Sequence, residues 1–187
     1  MCIRDRAKTG YSRIGGFEIY LSRPELGSSL WETILGAGRS ENIRPGSPNI
    51  IDRVEAGLLS FGNEMTVENT PLECNMDKFL DINKEADYIG KKVLQRQIRY
   101  GIKRRIRGVI YNGPKLPTIS RPLQVFDIDK RTIVGSLTSG AFSPHFKRNI
   151  GVGMIKYGYW DNNKKILVNI ADQEFREGLI IDLPLIQ

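Results

Sequence analysis

Cysteine and histidine are nearly absent from this chain. Only Cys2, Cys74 and His145 occur among 187 residues. Two cysteines give no disulfide framework and no paired-cysteine zinc motif, and they suit a reducing, cytoplasmic compartment. His145 sits in the Ser143–Asn149 loop without a second metal-type residue, so no metal site is expected. A single histidine without a carboxylate beside it in sequence also offers no Ser/His/Asp or Cys/His arrangement. No apolar run approaches the roughly 18 residues that a spanning helix needs, which argues against a membrane. The N-terminus lacks the apolar centre of a secretory signal. Internal repeats and low-complexity segments are absent too. Acidic residues are missing from 91–107, where eight lysines and arginines lie together.

What is present fits an ordinary globular protein, with 40% hydrophobic and 26% charged residues. The net charge of +7 attracts anions, whether nucleic acid, a membrane surface or a small ligand. Met1–Arg6 matches nothing that follows and reads as a non-native remnant; residues 1–8 are set aside on that ground. Gly10–Leu21 reads as a glycine-rich turn and a strand, because Phe17, Ile19 and Leu21 alternate with Glu18 and Tyr20. Residues 24–38 read as a helix with Leu26, Leu30, Trp31, Ile34 and Leu35 on a core-facing stripe, and 39–48 as a loop.

The organising stretch is 45–74. Pro48 ends what precedes it, and Asn49 is a helix cap. Ile50, Val54, Leu58 and Phe61 then recur at helical spacing, and Gly62-Asn63 is the expected stop. Arg53 flanks that stripe beside Gly57, which has no side chain to keep a neighbour away. Such an arginine either lays its stem along the apolar face or reaches a ligand carboxylate or carbonyl with its planar fork. Leu72–Ile82 reads as a short strand or turn–strand unit. Tyr88–Tyr100 reads as a helix closed by Gly101. The basic run 91–107 reads as a solvated helix face leading into a strand. Nucleic acid is disfavoured because no aromatics interleave with the cations. From residue 104 onward, short apolar runs between turns imply five to seven strands in an antiparallel barrel or sandwich. The glycines of 135–153 suggest bulges or close strand approach. The fold class is therefore α+β, with a boundary near residue 102.

Several motifs in order resemble the glycine-cleavage T-protein (aminomethyltransferase) family. They are Arg53-Val-Glu-Ala-Gly-Leu58, Phe61-Gly-Asn-Glu-Met65, Asn69-Thr-Pro-Leu-Glu73, Tyr88-Ile-Gly-Lys91, Gly101-Ile-Lys-Arg-Arg105 and Gly135–Pro144, ending near Ile150-Gly-Val-Gly-Met154. The resemblance implies that residues 9–102 are the second half of the folate-binding region and 103–187 the C-terminal β-barrel domain. It implies tetrahydrofolate as cofactor. It also implies that a first domain, which in the family supplies the catalytic Asp, lies outside this chain, so that the chain alone is inactive. In the family a Glu at the position of Glu18 holds folate; a pterin presents two parallel N–H donors that one carboxylate accepts. By the same resemblance Arg53 and Tyr11 are expected at the cofactor. The family's Tyr before Gly62 is replaced here by Phe61, so its hydroxyl is lost.

Ser12-Arg13-Ile14-Gly15 departs from the T-protein pattern and looks like the dimethylsulfoniopropionate demethylase branch. That branch implies methyl transfer from a sulfonium to tetrahydrofolate, with the protein chiefly holding two partners in place. The T-protein alternative implies an aminomethyl donor on a lipoyl-bearing protein. A non-catalytic folate- or nucleic-acid-binding protein is the alternative of another class. The basic run could also attract the acidic tail of a polyglutamylated folate.

Overall fold

In a computed structural model, residues 3–8, 10, 16–47 and 49–186 are described. Two compact units divide between Asn49 and Ile50.

The first unit holds two short strands and one helix. Strand β1 (Ile3–Ala7) pairs antiparallel with β2 (Glu18–Leu21), with Ala7 opposite Glu18. Residues 3–7, assigned to no element from sequence, thus form a strand. The expected strand at 18–21 is present, but its apolar side is not buried: Phe17 is 65% exposed and Ile19 39%. A single 3-10 turn at Pro24–Leu26 leads into α1 (Gly27–Ala37). The helix occupies its expected place, yet its stripe does not face a core: no α1 side chain is buried, and Trp31 is half exposed. One helix and a two-stranded ribbon are too little to enclose a core.

The second unit is built on a barrel. Its strands are β3 (Arg104–Tyr111), β4 (Leu123–Phe126), β5 (Ile133–Ser143), β6 (Arg148–Lys156), β7 (Lys165–Ala171) and β8 (Glu174–Ile181). They close in the order β3-β6-β5-β4-β7-β8, every pair antiparallel, so the barrel expected from sequence is present with six strands. Closure leaves no unpaired edge. Val109, Tyr111, Val125, Leu137, Ile166 and Ile180 belong to the cluster that fills the interior. A second cluster lies on the outer wall, where Ile106, Ile150 and Val152 meet Val54, Cys74 and Leu185.

The glycines of the 135–153 signature serve close approach. A Cβ on Gly153 would collide with the Ser136 carbonyl oxygen and stand 2.7 Å from Leu137 Cα. Both obstacles are backbone. Gly153→Ala is therefore expected to cost about 1–3 kcal/mol, read as a lower urea midpoint of the chain. Beside it, the β5–β6 register shifts between Leu137 and Ser139, a bulge at Thr138.

Helix α2 (Ile50–Glu55) packs on β5 and β6. It is shorter than the periodicity predicts and ends at Gly57, not at Gly62-Asn63. Gly57 takes φ +65°; its N–H is donated to Val54 O (3.1 Å), and the N–H of Leu58 to Arg53 O (3.0 Å). These are the paired bonds of a left-handed glycine cap. The neighbours that Gly57 admits are Leu183 and Pro184. That C-terminal segment folds over α2, where Leu185 and Ile186 donate their N–H groups to Glu55 O (2.9 and 3.1 Å). Pro48, the expected stop, lies outside the described residues.

Residues 72–82 form turns and a 3-10 turn (Asp77–Phe79) rather than a strand. Thr70 and Glu73 bond each other's backbone, and Cys74 N–H reaches Thr70 O at 3.0 Å. These local bonds compete with an extended ladder. Helix α3 (Lys91–Tyr100) lies between Gly90 and Gly101, both at positive φ, three residues shorter at its start than expected. Among the described residues, no helix is long and apolar enough to cross a membrane.

Candidate functional site

Several of the motifs singled out from sequence meet along one buried polar seam between α2, the 58–76 segment and the barrel. Arg53 is at its centre. It is 7% exposed, on the last turn of α2. One terminal nitrogen donates to Glu64 Oε2 (2.9 Å) and to Leu58 O (3.0 Å). The other donates to Glu64 Oε1 (3.5 Å) and Ser139 Oγ (2.5 Å). The Glu64 side chain has no exposed area and also accepts the Ser60 N–H at 2.6 Å. A fork-to-fork pair of this kind fixes orientation as well as position. Here it fixes the 58–65 loop, in which Phe61 is 68% exposed.

The bulge at Thr138 supplies the other half of the seam. Leu137 belongs to the interior cluster, and strict alternation would turn Ser139, Ala141 and Ser143 inward with it. After the bulge, Ser139 stands opposite Val152 and Ala141 opposite Ile150, both on the outer wall. Ser139 and Ser143 therefore face α2. Ser143 donates its hydroxyl proton to Glu55 and accepts the Phe146 N–H (3.0 Å). Bulges commonly re-aim a side chain in this manner.

Glu73 closes the seam at its far end. Its carboxylate accepts from Arg104 Nε (3.0 Å), and its carbonyl accepts the Ile106 N–H (2.8 Å). Beside it, the Cys74 thiol is pushed up by burial and by the Glu73 charge, with Arg104 opposing. That thiol is buried and behaves as a small apolar group.

Glu18 and Arg53 lie in different units, each described by itself. Glu18 is exposed on β2 between the exposed side chains of Phe17 and Ile19. Tyr11 and the Ser12–Gly15 loop lie outside the described residues. Arg53, read from sequence as an edge residue, is buried and directs its terminal N–H donors into the protein. Glu64, Ser139, Glu55 and Ser143 were missed as partners in the seam. Their signal was present, since all four lie inside the quoted motifs, but spacing says nothing about contacts 86 or 88 residues apart.

The basic run divides in two. Lys91 Nζ donates to the carbonyls of Lys84, Glu85 and Ala86 at 2.7–3.1 Å. Arg104 pairs with Glu73 and Arg105 with Asp77, and Arg107 reaches Asp182 at 2.5 Å although only 8% exposed. Lys92, Arg96, Arg99 and Lys103 reach the surface. The run is thus half solvated face and half structural clamp. Among the described residues, no group of three His, Cys, Asp or Glu side chains could hold a metal ion.

Comparison with known proteins finds two matches within the chain. The family described as GCVT N-terminal domain matches residues 6–84, and the glycine cleavage T-protein C-terminal barrel domain matches 104–186. The chain is 42% identical over 154 residues to a dimethylsulfoniopropionate demethylase of Ruegeria pomeroyi, covering 82% of this chain and 41% of that protein. It is 33% identical over 176 residues to an aminomethyltransferase of a Geobacillus species, covering 93% and 47%. The fold resembles the crystal structure of glycine cleavage system aminomethyltransferase T from Bartonella henselae, with TM-score 0.80 and 22% identity over 97% of this chain and 49% of that one. The chain spans about half the length of the relatives it matches.

Proposed function

We propose, starting from the fact that this chain belongs to the glycine-cleavage T-protein family, that its parent protein is a tetrahydrofolate-dependent one-carbon transferase of the dimethylsulfoniopropionate demethylase kind. One observation carries the choice of branch: identity to the Ruegeria pomeroyi demethylase is 42%, against 33% and 35% for aminomethyltransferases of Geobacillus and Caldanaerobacter species. The Ser12–Gly15 loop supports the same choice. When bound, tetrahydrofolate supplies the nitrogen that accepts the one-carbon unit.

Glu18 suits the cofactor, being an exposed carboxylate on a strand with two acceptor oxygens for paired pterin N–H groups. Tyr11 is assigned to the same ligand. Arg53 serves it by anchoring the 58–65 segment, since its terminal donors are engaged with Glu64, Leu58 and Ser139. Among the described residues of this chain, none is assigned to acid–base chemistry. The catalytic groups are assigned to residues outside it, and the chain alone is expected to be inactive. The substrate is a small methyl donor, the compartment cytoplasmic, and neither membrane nor nucleic acid takes part. The second reading is an aminomethyltransferase working with a lipoyl-bearing protein; the aminomethyltransferase relatives, matched over 91–94% of the chain, favour it.

Calorimetry on the parent protein tests the proposal. Tetrahydrofolate is expected to bind, and Glu18→Ala to weaken it at least tenfold. Unchanged affinity in Glu18→Ala would remove that residue from the site, and no binding in the unaltered protein would end the folate reading. Turnover with dimethylsulfoniopropionate, compared with an aminomethyl-lipoyl donor, separates the two branches.

A further inference from the structure

The outer wall of the barrel carries a second feature, lined by none of the seam's polar residues. Side chains of β7 and β8 alternate, so Ile166, Val168 and Ile180 point inward, while Lys165, Leu167, Glu177 and Leu179 point outward. Register places Ile110, Leu179 and Lys165 in one row across β3, β8 and β7, and Leu167 opposite Glu177 in the next. The turn between β4 and β5 leans over these rows. Phe126 meets Phe175 edge to face at 5.2 Å, and Lys130 Nζ lies 5.7 Å from the Phe175 ring centre. Between turn and sheet is a pocket of about 320 Å³.

Its floor is apolar, formed by Ile110, Leu167 and Leu179 with Ile128 as a wall; its rim carries Lys130, Arg148 and Lys165 against the single acid Glu177. None of the three cations forms a salt bridge with an acidic group among the described residues. This differs from the clamps of the basic run, where arginines pair with carboxylates. Small-ligand sites have this composition, an apolar lining with a few converging polar groups in roughly 300–1,000 Å³. An excess of two positive charges at the rim fixes the sign of the ligand.

We infer that this pocket binds a small organic anion with an apolar body, its acidic head between Arg148 and Lys165 and its body on Ile110, Leu167 and Leu179. The head is a carboxylate or a phosphate monoester, both of which accept from Arg and Lys. Glu177 disfavours polyanions by placing a negative charge on the same rim. Site and ligand are independent of Glu18 and of the folate reading.

The test is methyl-labelled NMR of the 187-residue chain, titrated with hexanoate, hexyl phosphate, hexanol and hexylamine. Hexanoate, hexyl phosphate or both are expected to shift the Ile110, Ile128 and Leu179 methyls saturably, and whichever does so names the head group. Hexanol is expected to bind at least tenfold more weakly and hexylamine not at all. Arg148→Glu/Lys165→Glu is expected to abolish the shifts while the interior Leu137 and Val134 methyls stay in place. Lys165→Met, a milder change at an exposed position, is expected to weaken them at least threefold. Equal shifts with hexylamine, no saturable shift with either anion, or full binding in Lys165→Met together with the double variant would overturn the proposal.

Discussion

Replacing Arg53 by Ala is expected to destabilise the second unit by about 3–5 kcal/mol, the cost of leaving a buried charge without its partner. Glu64 would keep its Ser60 N–H bond but lose both guanidinium contacts, with no exposed area through which water could substitute. Ser139 Oγ and Leu58 O would lose their donor as well. The size of the effect comes from orphaning groups, not from the net worth of the pair. Arg53→Met/Glu64→Leu, which removes both charges and keeps apolar volume, is therefore expected to cost less than either Arg53→Ala or Glu64→Ala. Glu174→Ala, which breaks a 3.6 Å pair with a 57% exposed carboxylate, is expected to change stability by less than about 1 kcal/mol. Urea unfolding of the four variants measures all of this. A loss below about 1 kcal/mol in Arg53→Ala, the level of an exposed pair, would refute the seam as the anchor of the 58–65 loop.

Alkali should loosen the barrel through Tyr111. Its side chain is 1% exposed inside the barrel, and burial pushes its hydroxyl up to about 12, with the Arg176 charge offsetting part of the rise. The folded state thus holds this proton more tightly than the unfolded chain, whose tyrosines titrate near 10. Stability from this group is fully present below about pH 10 and is lost as pH rises through about 12. The difference between the folded and unfolded phenol is worth about 3 kcal/mol. Alkali acts on the whole chain, so the informative quantity is the difference from Tyr111→Phe. The stability of the wild type should fall more steeply than that of the variant between about pH 10 and 12, in denaturant titrations at fixed pH. Parallel curves would show that the phenol is not held neutral by burial.

Much of the fold was legible because it depends on local pattern. Apolar runs between turn signals marked an antiparallel barrel or sandwich from residue 104, the resemblance implied the barrel, and closing a sheet is how such strands dispose of their edges. Helices at 24–38 and 88–100 were found within a few residues of their ends, since Gly36 and Gly38 mark the end of the first and Gly101 that of the second. The stop of α2 was misplaced because two glycines, Gly57 and Gly62, both offered a left-handed cap. Packing chose the first: Leu183 and Pro184, far along the chain, rest on it.

The site was less legible. Sequence left Arg53 open between a stem laid along the apolar face and a fork reaching a ligand, because Glu64 and Ser139 reach it only after folding. Resemblance pointed to the motifs that meet at the seam, while their pairing is long-range. The basic run shows the same limit. Charge density was plain in the sequence, but the carboxylates that neutralise Arg104, Arg105 and Arg107 come from Glu73, Asp77 and Asp182.

Sequence alone thus carried the antiparallel strands after residue 104, the approximate places of the helices and the family with its barrel domain, because apolar period, turn residues and ordered motifs are local properties. Tertiary structure decided which way Ser139 and Ser143 face. A one-residue bulge at Thr138 reverses the alternation that sequence pattern assumes, and only the pairing of β5 with β6 reveals it. That reversal sends two hydroxyls out of an apolar interior and onto Arg53 and Glu55, where buried charges need them.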